Sequence, residues 1–198
     1  MKFEIELIRA VMRKKGYAFF ENGSYNLNIV GVRSQERTAG AFDDFISCIF
    51  KNDKGEWECL YWKATTDAGT YWLQNPMNKK GTALLFPNQY RGCFKIGLHK
   101  GEYEALVQHK EVMVYRDSNR DKVIDFDSAT IDKGMFGINI HRSNPSKESL
   151  VNDKWSAGCQ VFSSPTDFKH FMEIVKLSSI HFGNIFTYTL LTQQDFYV

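Results

Sequence analysis

Hydrophobic and polar residues alternate along most of the chain in short runs that are typical of β-strands. The runs are rich in β-branched and aromatic residues and are bounded by turn-forming residues. They are LNIVGVRS, DFISCIFK, EWECLYWKATT, GTALLF, CFKIGL, VMVYRD, FGINIHR, GCQVF and FTYTLLT. We therefore expect a mainly β protein in which most strand pairs are antiparallel.

Two segments have helical spacing instead. Residues 3–14 carry apolar side chains on one helical face, and Gly16 follows as a stop; the apolar residues are Phe3, Leu7, Ile8, Val11 and Met12. A second helix is expected to begin at Pro165, after the capping residue Ser164. Its apolar stripe comprises Phe168, Phe171, Met172 and Val175.

Length and composition fit one domain over residues 1–198. At 198 residues and 43% hydrophobic, the chain can bury one substantial core. The 25 Lys and Arg against 23 Asp and Glu leave a net charge of +2, with no basic block that could follow a phosphate backbone. We therefore expect no nucleic-acid partner.

The first twenty residues, MKFEIELIRAVMRKKGYAFF, carry charges every few positions. A signal peptide or a membrane-spanning helix needs an uninterrupted apolar stretch, so we expect a protein made in the cytoplasm without a membrane span. The cysteines form no C-x-x-C pair, which favours separate thiols over a zinc site; they are Cys48, Cys59, Cys93 and Cys159.

Cys159, in VNDKWSAGCQVF, is the candidate nucleophile. Gly158 lets the backbone approach a substrate closely, and His141 ends the apolar run FGINIH, where a base could be held at the end of a sheet. The two side chains could form a thiolate–imidazolium pair. The alternative is a buried, inert thiol, which is a common state of free cysteine.

This segment resembles the catalytic motif of L,D-transpeptidases of the YkuD type. In that family a histidine is followed, after fourteen to seventeen residues, by Ser/Thr-His-Gly-Cys; here fourteen residues separate His141 from the Ser-Ala-Gly-Cys that ends at Cys159. TTDAGTYWL at 65–73 resembles the family's Thr-Pro-x-Gly-Thr-Tyr/Phe segment. With the strand, cap and helix after the cysteine, the resemblance runs from Thr65 to Val175 in the family's order.

Two positions depart from the family pattern. Ala157 stands where the family has a second histidine, and Val161 stands where an arginine usually follows the cysteine. The nucleophile and the base are kept, so the departures bear on substrate preference and on the shape of the site.

The resemblance implies an L,D-transpeptidase-like β-sandwich or mixed sheet with a few short helices. It implies a catalytic core over residues 61–178, preceded at 1–60 by a helix and strands of unassigned role. Cys159 would attack a carbonyl of a peptidoglycan stem peptide, His141 would take the thiol proton, and the N–H groups of Gly158 and Cys159 would hold the oxyanion. Water as acceptor gives hydrolysis and an amine gives a cross-link; neither needs a cofactor or a metal.

Further residues are candidates for orienting the base or binding substrate. Ser156 or Asn139 could orient His141; Ser156 is favoured because the family has the same residue type there. An arginine could hold a stem-peptide carboxylate by a bidentate pair, although a solvated arginine is the alternative. The substrate-binding candidates are Tyr90, Arg91, Asn139, Arg142 and Trp155.

A cell-wall substrate lies outside the cytoplasm, whereas the chain shows no signal peptide. A phage or prophage lysis protein, which reaches the wall after the membrane is permeabilised, would reconcile the two. The alternative from another class is a catalytically inactive wall-binding or virion-structural module, which Ala157 and Val161 would favour. A cysteine hydrolase acting on an unrelated amide or ester would share every local feature.

Two weaker patterns have simpler explanations. Cys93 also follows a glycine, but His99, six residues further along the same strand, would lie about 20 Å away. A spacing like that of a calcium loop occurs in RDSNRDKVIDFD, but the loop lacks the glycine and the closing glutamate of such a site. We expect a polar turn there.

Overall fold

The computed structural model describes residues 5–197 and confirms the mainly β class. The helices are α1 (Ile5–Lys14), α2 (Thr70–Gln74) and α3 (Pro165–Phe182). The strands are β1 (Asn28–Arg33), β2 (Asp44–Lys51), β3 (Trp57–Thr65), β4 (Thr82–Leu85), β5 (Gln89–His99), β6 (Tyr103–Gln108), β7 (Val112–Asp117), β8 (Asp132–Gly134), β9 (Ile140–Arg142), β10 (Gln160–Phe162) and β11 (Phe186–Thr192). Within this part of the chain, no helix is long and apolar enough to cross a membrane.

Eight strands close into a barrel in the order β1-β11-β5-β6-β9-β10-β3-β2, and β4-β7-β8 form a separate sheet. The barrel is a mixed sheet, because β1 and β11 are parallel and so are β9 and β10, while the other pairs are antiparallel. Of the two expected arrangements, a sandwich or a mixed sheet, the mixed sheet is present, and it closes into a barrel. β1 pairs with both β2 and β11, so the strands near the two ends of the chain become neighbours and the ring closes.

Both faces of β1 are buried because α1 covers the outside of the barrel. Ile29 lies in the large core cluster, whereas Val30 and Val32 pack with α1 residues Ile8, Val11 and Met12. The helix thus uses the predicted face, except that Leu7 is 37% exposed. Phe3 lies outside the described residues.

α3 begins where the sequence predicts. The Ser164 hydroxyl accepts a hydrogen bond from the backbone N–H of Asp167 at 3.2 Å, and Pro165 occupies the first helical position. The predicted stripe is buried, and Phe168 and Phe171 pack on Phe162 of β10 with ring centroids 5.5 and 4.9 Å apart. The helix has 18 residues, so the expectation of only short helices is wrong here.

The hydrophobic pattern did not predict β6, β8 or α2. β6 has the sequence YEALVQ, whose Glu and Ala have low strand propensity, and it is a strand because it pairs with β5 along six residues. β8 is the three-residue DKG, which pairs with β7 and has no apolar side chain. Tertiary pairing, rather than local preference, fixes both strands.

Replacing Ser164 by Ala should lower the free energy of unfolding by about 1 kcal/mol, because it removes the hydroxyl that caps α3. Urea denaturation measures this loss. Ser179→Ala is the matched control, since the Ser179 hydroxyl only donates to the Lys176 carbonyl at the other end of the helix. Equal losses in the two variants would contradict a capping role for Ser164.

Candidate active site

Cys159 and His141 line the same pocket, which has a volume of about 220 Å³. Apolar side chains form part of its wall, and two lysines lie at its edge; these residues are Trp72, Met77, Phe136, Trp155, Lys100 and Lys154. Cys159 is partly exposed, whereas His141 is 3% exposed. The structure therefore brings the predicted nucleophile and base to one cavity.

The parallel pairing of β9 and β10 places the thiol. Val161 lies opposite His141, and the N–H of Gln160 donates to the carbonyl of Asn139 at 2.8 Å. Cys159, just before β10, consequently lies beside Asn139, whose backbone N–H donates to Sγ at 3.4 Å. The thiol in turn donates to the carbonyl of Gly137 at 3.5 Å.

Ser156 shapes the turn that presents Cys159. Its hydroxyl donates to the carbonyl of Cys159 at 2.7 Å and accepts the N–H of Gly158 at 3.1 Å. Gly158 has a φ of +121°, and a Cβ there would collide with the carbonyl oxygen of Ala83. The expectation that Ser156 orients His141 is corrected, because its hydroxyl is engaged within the turn.

The segment at 65–73 holds this turn from the other side. The N–H of Gly69 donates to the carbonyl of Ser156 at 2.8 Å, and the indole N–H of Trp72 donates to the carbonyl of Lys154 at 3.0 Å. The three segments that carry the family resemblance, namely 65–73, the His141 strand and the Cys159 turn, thus meet around one pocket.

The backbone of Arg142 fixes the tautomer of His141. Nδ1 lies 2.7 Å from the carbonyl oxygen of Arg142, and a carbonyl can only accept, so Nδ1 carries a proton. Nε2 is then the basic nitrogen. The hydroxyl of Tyr103 donates to the same carbonyl at 3.2 Å and lies 3.3 Å from Nδ1.

Tyr103 was not predicted as a site residue. It lies opposite His99 across the hairpin between β5 and β6, where Lys100 and Gly101 have φ values of +51° and +77°. The guanidinium of Arg142 lies 4.0 Å from the centre of the Tyr103 ring. The sequence HKGEY at 99–103 could have predicted this contact, since a tight hairpin there makes His99 and Tyr103 neighbours.

Burial favours the neutral form of both Cys159 and His141. It raises the pKa of the Cys159 thiol above its ordinary value, against the smaller opposing effects of the Asn139 N–H and Lys100. Burial, together with the neighbouring His99, lowers the pKa of His141 to about 3. These shifts favour a thiol and a neutral imidazole in the resting protein over the expected thiolate–imidazolium pair.

Three other predicted residues also lie at the site. Arg142 and Trp155 line an adjoining pocket of about 460 Å³ together with His141. The side chain of Asn139 is directed at a second histidine, as its Nδ2 donates to Nδ1 of His99 at 3.1 Å. Asn139 therefore contacts His99 and not His141.

Tyr90 and Arg91 lie away from the pocket, which corrects their assignment to substrate binding. The Tyr90 hydroxyl is buried and donates to the carbonyls of Phe86 and Met113 at 2.5 and 3.1 Å. Arg91 is exposed on the same strand as His99, eight residues away, or about 26 Å at the rise of an extended strand. Tyr90 and Arg91 lie near the start of β5, whereas His99, at the end of the strand, lines the pocket.

The weaker candidates are occupied by internal contacts. The buried Cys93 thiol donates to the carbonyl of Arg91 at 3.5 Å. In the acidic loop, Asn119 donates to the Asp125 carboxylate at 2.7 Å and Asp117 accepts the N–H of Asp125 at 3.0 Å, as expected for a polar turn. Within residues 5–197, no group of His, Cys, Asp and Glu side chains is arranged to hold a metal ion.

Comparison of the chain with models of known protein families, with curated proteins and with solved structures gave no match. Function is therefore inferred from the chemistry of the pocket.

Cys159 should react with iodoacetamide more slowly at pH 7 than an ordinary exposed thiol, and its rate should rise with pH through and beyond the usual thiol range. Only the thiolate reacts, and a raised pKa lowers the thiolate fraction at each pH below it. Peptide mapping by mass spectrometry gives the rate at each cysteine, with Cys159→Ser as the control. Fast labelling at pH 6 that is lost in His141→Ala would instead indicate a resting ion pair.

Proposed function

We propose that the protein is a cysteine enzyme of the L,D-transpeptidase type, which transfers or hydrolyses acyl groups of peptidoglycan stem peptides. One observation carries the proposal: the Cys159 thiol and a neutral His141, with its proton fixed on Nδ1, line the same pocket. A nucleophile and a base that share a cavity, with the base oriented by a third group, are the elements of nucleophilic acyl transfer.

The first step forms a tetrahedral intermediate. Sγ of Cys159 attacks the carbonyl carbon while its proton passes to Nε2 of His141, and the carbonyl of Arg142 stabilises the imidazolium through Nδ1–H. The N–H of Gly158 is engaged by Ser156, so the N–H of Cys159 is the donor proposed for the oxyanion. Of the two expected oxyanion donors, the proposal therefore keeps only the N–H of Cys159.

The second step releases the amine and leaves a thioester, and a third step restores the thiol. Nε2–H gives its proton to the leaving nitrogen as the C–N bond breaks, which leaves the acyl group on Sγ. Water or an amine then attacks the thioester carbonyl, His141 takes the proton of that nucleophile, and the thiolate leaves and is reprotonated. Water yields a carboxylic acid, and an amine yields a new peptide bond.

Charge at the pocket favours a substrate with a free carboxylate. Lys100, Arg142 and Lys154 line the adjoining pocket, and among its lining residues Glu102 is the acidic one. The terminal D-residue of a stem peptide ends in a carboxylate, which these cations would attract before the peptide bond reaches Sγ.

The family assignment is part of the same proposal. It is supported by the meeting of 65–73, His141 and the Cys159 turn, and it includes the family's fold for the core. Action at the cell wall, by a phage or prophage protein among other routes, follows if the substrate is correct.

Incubation with defined muropeptides tests the reaction. Wild-type protein should trim or join tetrapeptide stems, Cys159→Ala should be inactive, and His141→Ala should lose about 10²- to 10⁴-fold in rate because it lacks the base. Mass spectrometry identifies the product and hence the acceptor. His170→Ala, an exposed position on α3, is the control variant.

The rate should show no acid limb from His141 between pH 5 and 7. The imidazole must be neutral to accept the thiol proton, and with a pKa of about 3 it stays neutral across that range.

In the muropeptide experiment, substrates left intact by wild type would contradict the proposed reaction. Binding to purified cell walls without turnover would then favour the inactive wall-binding module.

Reversing charge at the edge of the pocket should raise KM for a substrate with a free terminal carboxylate. In the Lys100→Glu, Lys154→Glu double variant, KM for a stem with a free terminal carboxylate should rise severalfold, whereas KM for the terminal amide should not. Lys169→Glu, exposed on α3, is the matched control. Equal effects on the acid and the amide would contradict carboxylate binding.

A further inference from the structure

His99 lies against the candidate base, but no step above uses it. The imidazole rings of His99 and His141 are stacked, with centroids 3.9 Å apart and planes 21° apart. His99 is 6% exposed and ends β5, so the ring is held by the strand and lies at the wall of the pocket.

Two hydrogen bonds fix the orientation of His99. The N–H of Gln108 donates to Oδ1 of Asn139 at 2.9 Å, which determines which end of the amide is the oxygen. Nδ2 of Asn139 therefore points at Nδ1 of His99, 3.1 Å away. Because an amide NH₂ only donates, Nδ1 of His99 must accept, and the neutral ring carries its proton on Nε2.

The two stacked rings thus have opposite tautomers. His141 holds its proton on Nδ1 toward the Arg142 carbonyl, whereas His99 holds its proton on Nε2 and accepts at Nδ1. A second proton on His99 would break the bond from Asn139 and place a cation against the base. Burial, together with Lys100, lowers the pKa of His99 to about 4, in agreement with a neutral ring.

We infer that His99 is a positioning residue, whose neutral ring is stacked on His141 and holds the base in the orientation that leaves Nε2 free to take the thiol proton. The inference rests on the proposed function, because it concerns the base of that reaction. His99 is not assigned a contact with substrate. Asn139 contributes by keeping the ring fixed and neutral.

Three replacements of His99 separate the ring from its hydrogen bond. Phe keeps a flat ring but no acceptor for Asn139, Gln keeps an acceptor but no ring, and Ala removes both. If the ring face positions His141, His99→Phe should keep the wild-type tautomer of His141, whereas His99→Gln and His99→Ala should not. If the Ala variant fails to fold, the comparison of His99→Phe with His99→Gln still tests the inference.

The readout is the imidazole ¹⁵N NMR spectrum of the full chain as a function of pH, without substrate. In wild type, His141 should be the Nδ1–H tautomer at neutral pH and should titrate near its lowered pKa of about 3. In His99→Gln and His99→Ala, its pKa should rise by about 1 unit or more toward the ordinary 6.5, and the tautomers should mix. The exposed His109, His170 and His181 serve as internal references.

Other charged or titratable groups near His141 stay constant across the three variants, so they do not account for a difference between Phe and Gln. They lie on the β5–β6 turn, β6, β9 and the loop before β10, and they are Lys100, Glu102, Tyr103, Arg142, Lys154 and Cys159. An unchanged tautomer and pKa of His141 in His99→Ala would overturn the inference, as would a His99→Phe variant as perturbed as His99→Ala.

Muropeptide turnover by the same variants separates this inference from the proposed function. If wild type turns over muropeptides while the tautomer and pKa of His141 are unchanged in His99→Gln and His99→Ala, only the positioning role of His99 is wrong. If the spectra change as expected but wild type leaves every muropeptide intact, the positioning of His141 stands and the reaction assigned to it is wrong.

Discussion

The parallel pairing of β9 with β10 is the constraint on which the candidate site depends. Each strand has only three residues, and each is held from its other side, β9 by β6 and β10 by β3. The chain between them is held not only at Lys154 and Ser156 but also where Ser149 donates to the carbonyl of Ser163 at 2.9 Å and Asn152 donates to that of Gly40 at 2.8 Å. Because the pairing is parallel, the segments that precede the two strands lie side by side. One carries the Asn139 N–H, and the other carries the Cys159 thiol.

Burial determines the charge state of the reacting groups. A thiolate and an imidazolium would each lose hydration at this depth, and the structure offers the thiol only weak stabilising contacts, at 3.4 Å from the Asn139 N–H and 3.5 Å from the Gly137 carbonyl. A neutral pair avoids that cost until a carbonyl is present to receive the electrons of the thiolate. In the proposed reaction, proton transfer and attack are then coupled, and the tautomer fixed at Arg142 decides which nitrogen takes part.

Features set by local sequence rules were predictable, whereas features set by register were not. Ser164 and Pro165 define the start of α3 by rules that act within four residues, and the spacing of His141 and Cys159 identifies the candidate pair. Tyr90 and Arg91 were assigned wrongly because only the register and length of β5 show that His99 lies at the pocket and Arg91 at the far end. Tyr103 and the His99 stack likewise depend on pairing across the β5–β6 hairpin. Barrel closure depends on the parallel contact of β1 with β11, residues more than 150 positions apart.

The two departures from the family pattern fall at positions where the surrounding structure gives them a physical meaning. A pocket of about 250 Å³ next to Arg116 shares Trp72, Met77, Phe136 and Ala157 with the pocket of Cys159, so a larger side chain at 157 would occupy the space where the two cavities meet. Val161 is fully buried between Thr65 and His141, where an arginine would need an acceptor for its charge. The cations that line the pocket of Cys159 come instead from loops, at Lys100 and Lys154. An arginine at 161 would add a buried charge beside His141, whereas Lys100 and Lys154 place positive charge at the edge of the pocket.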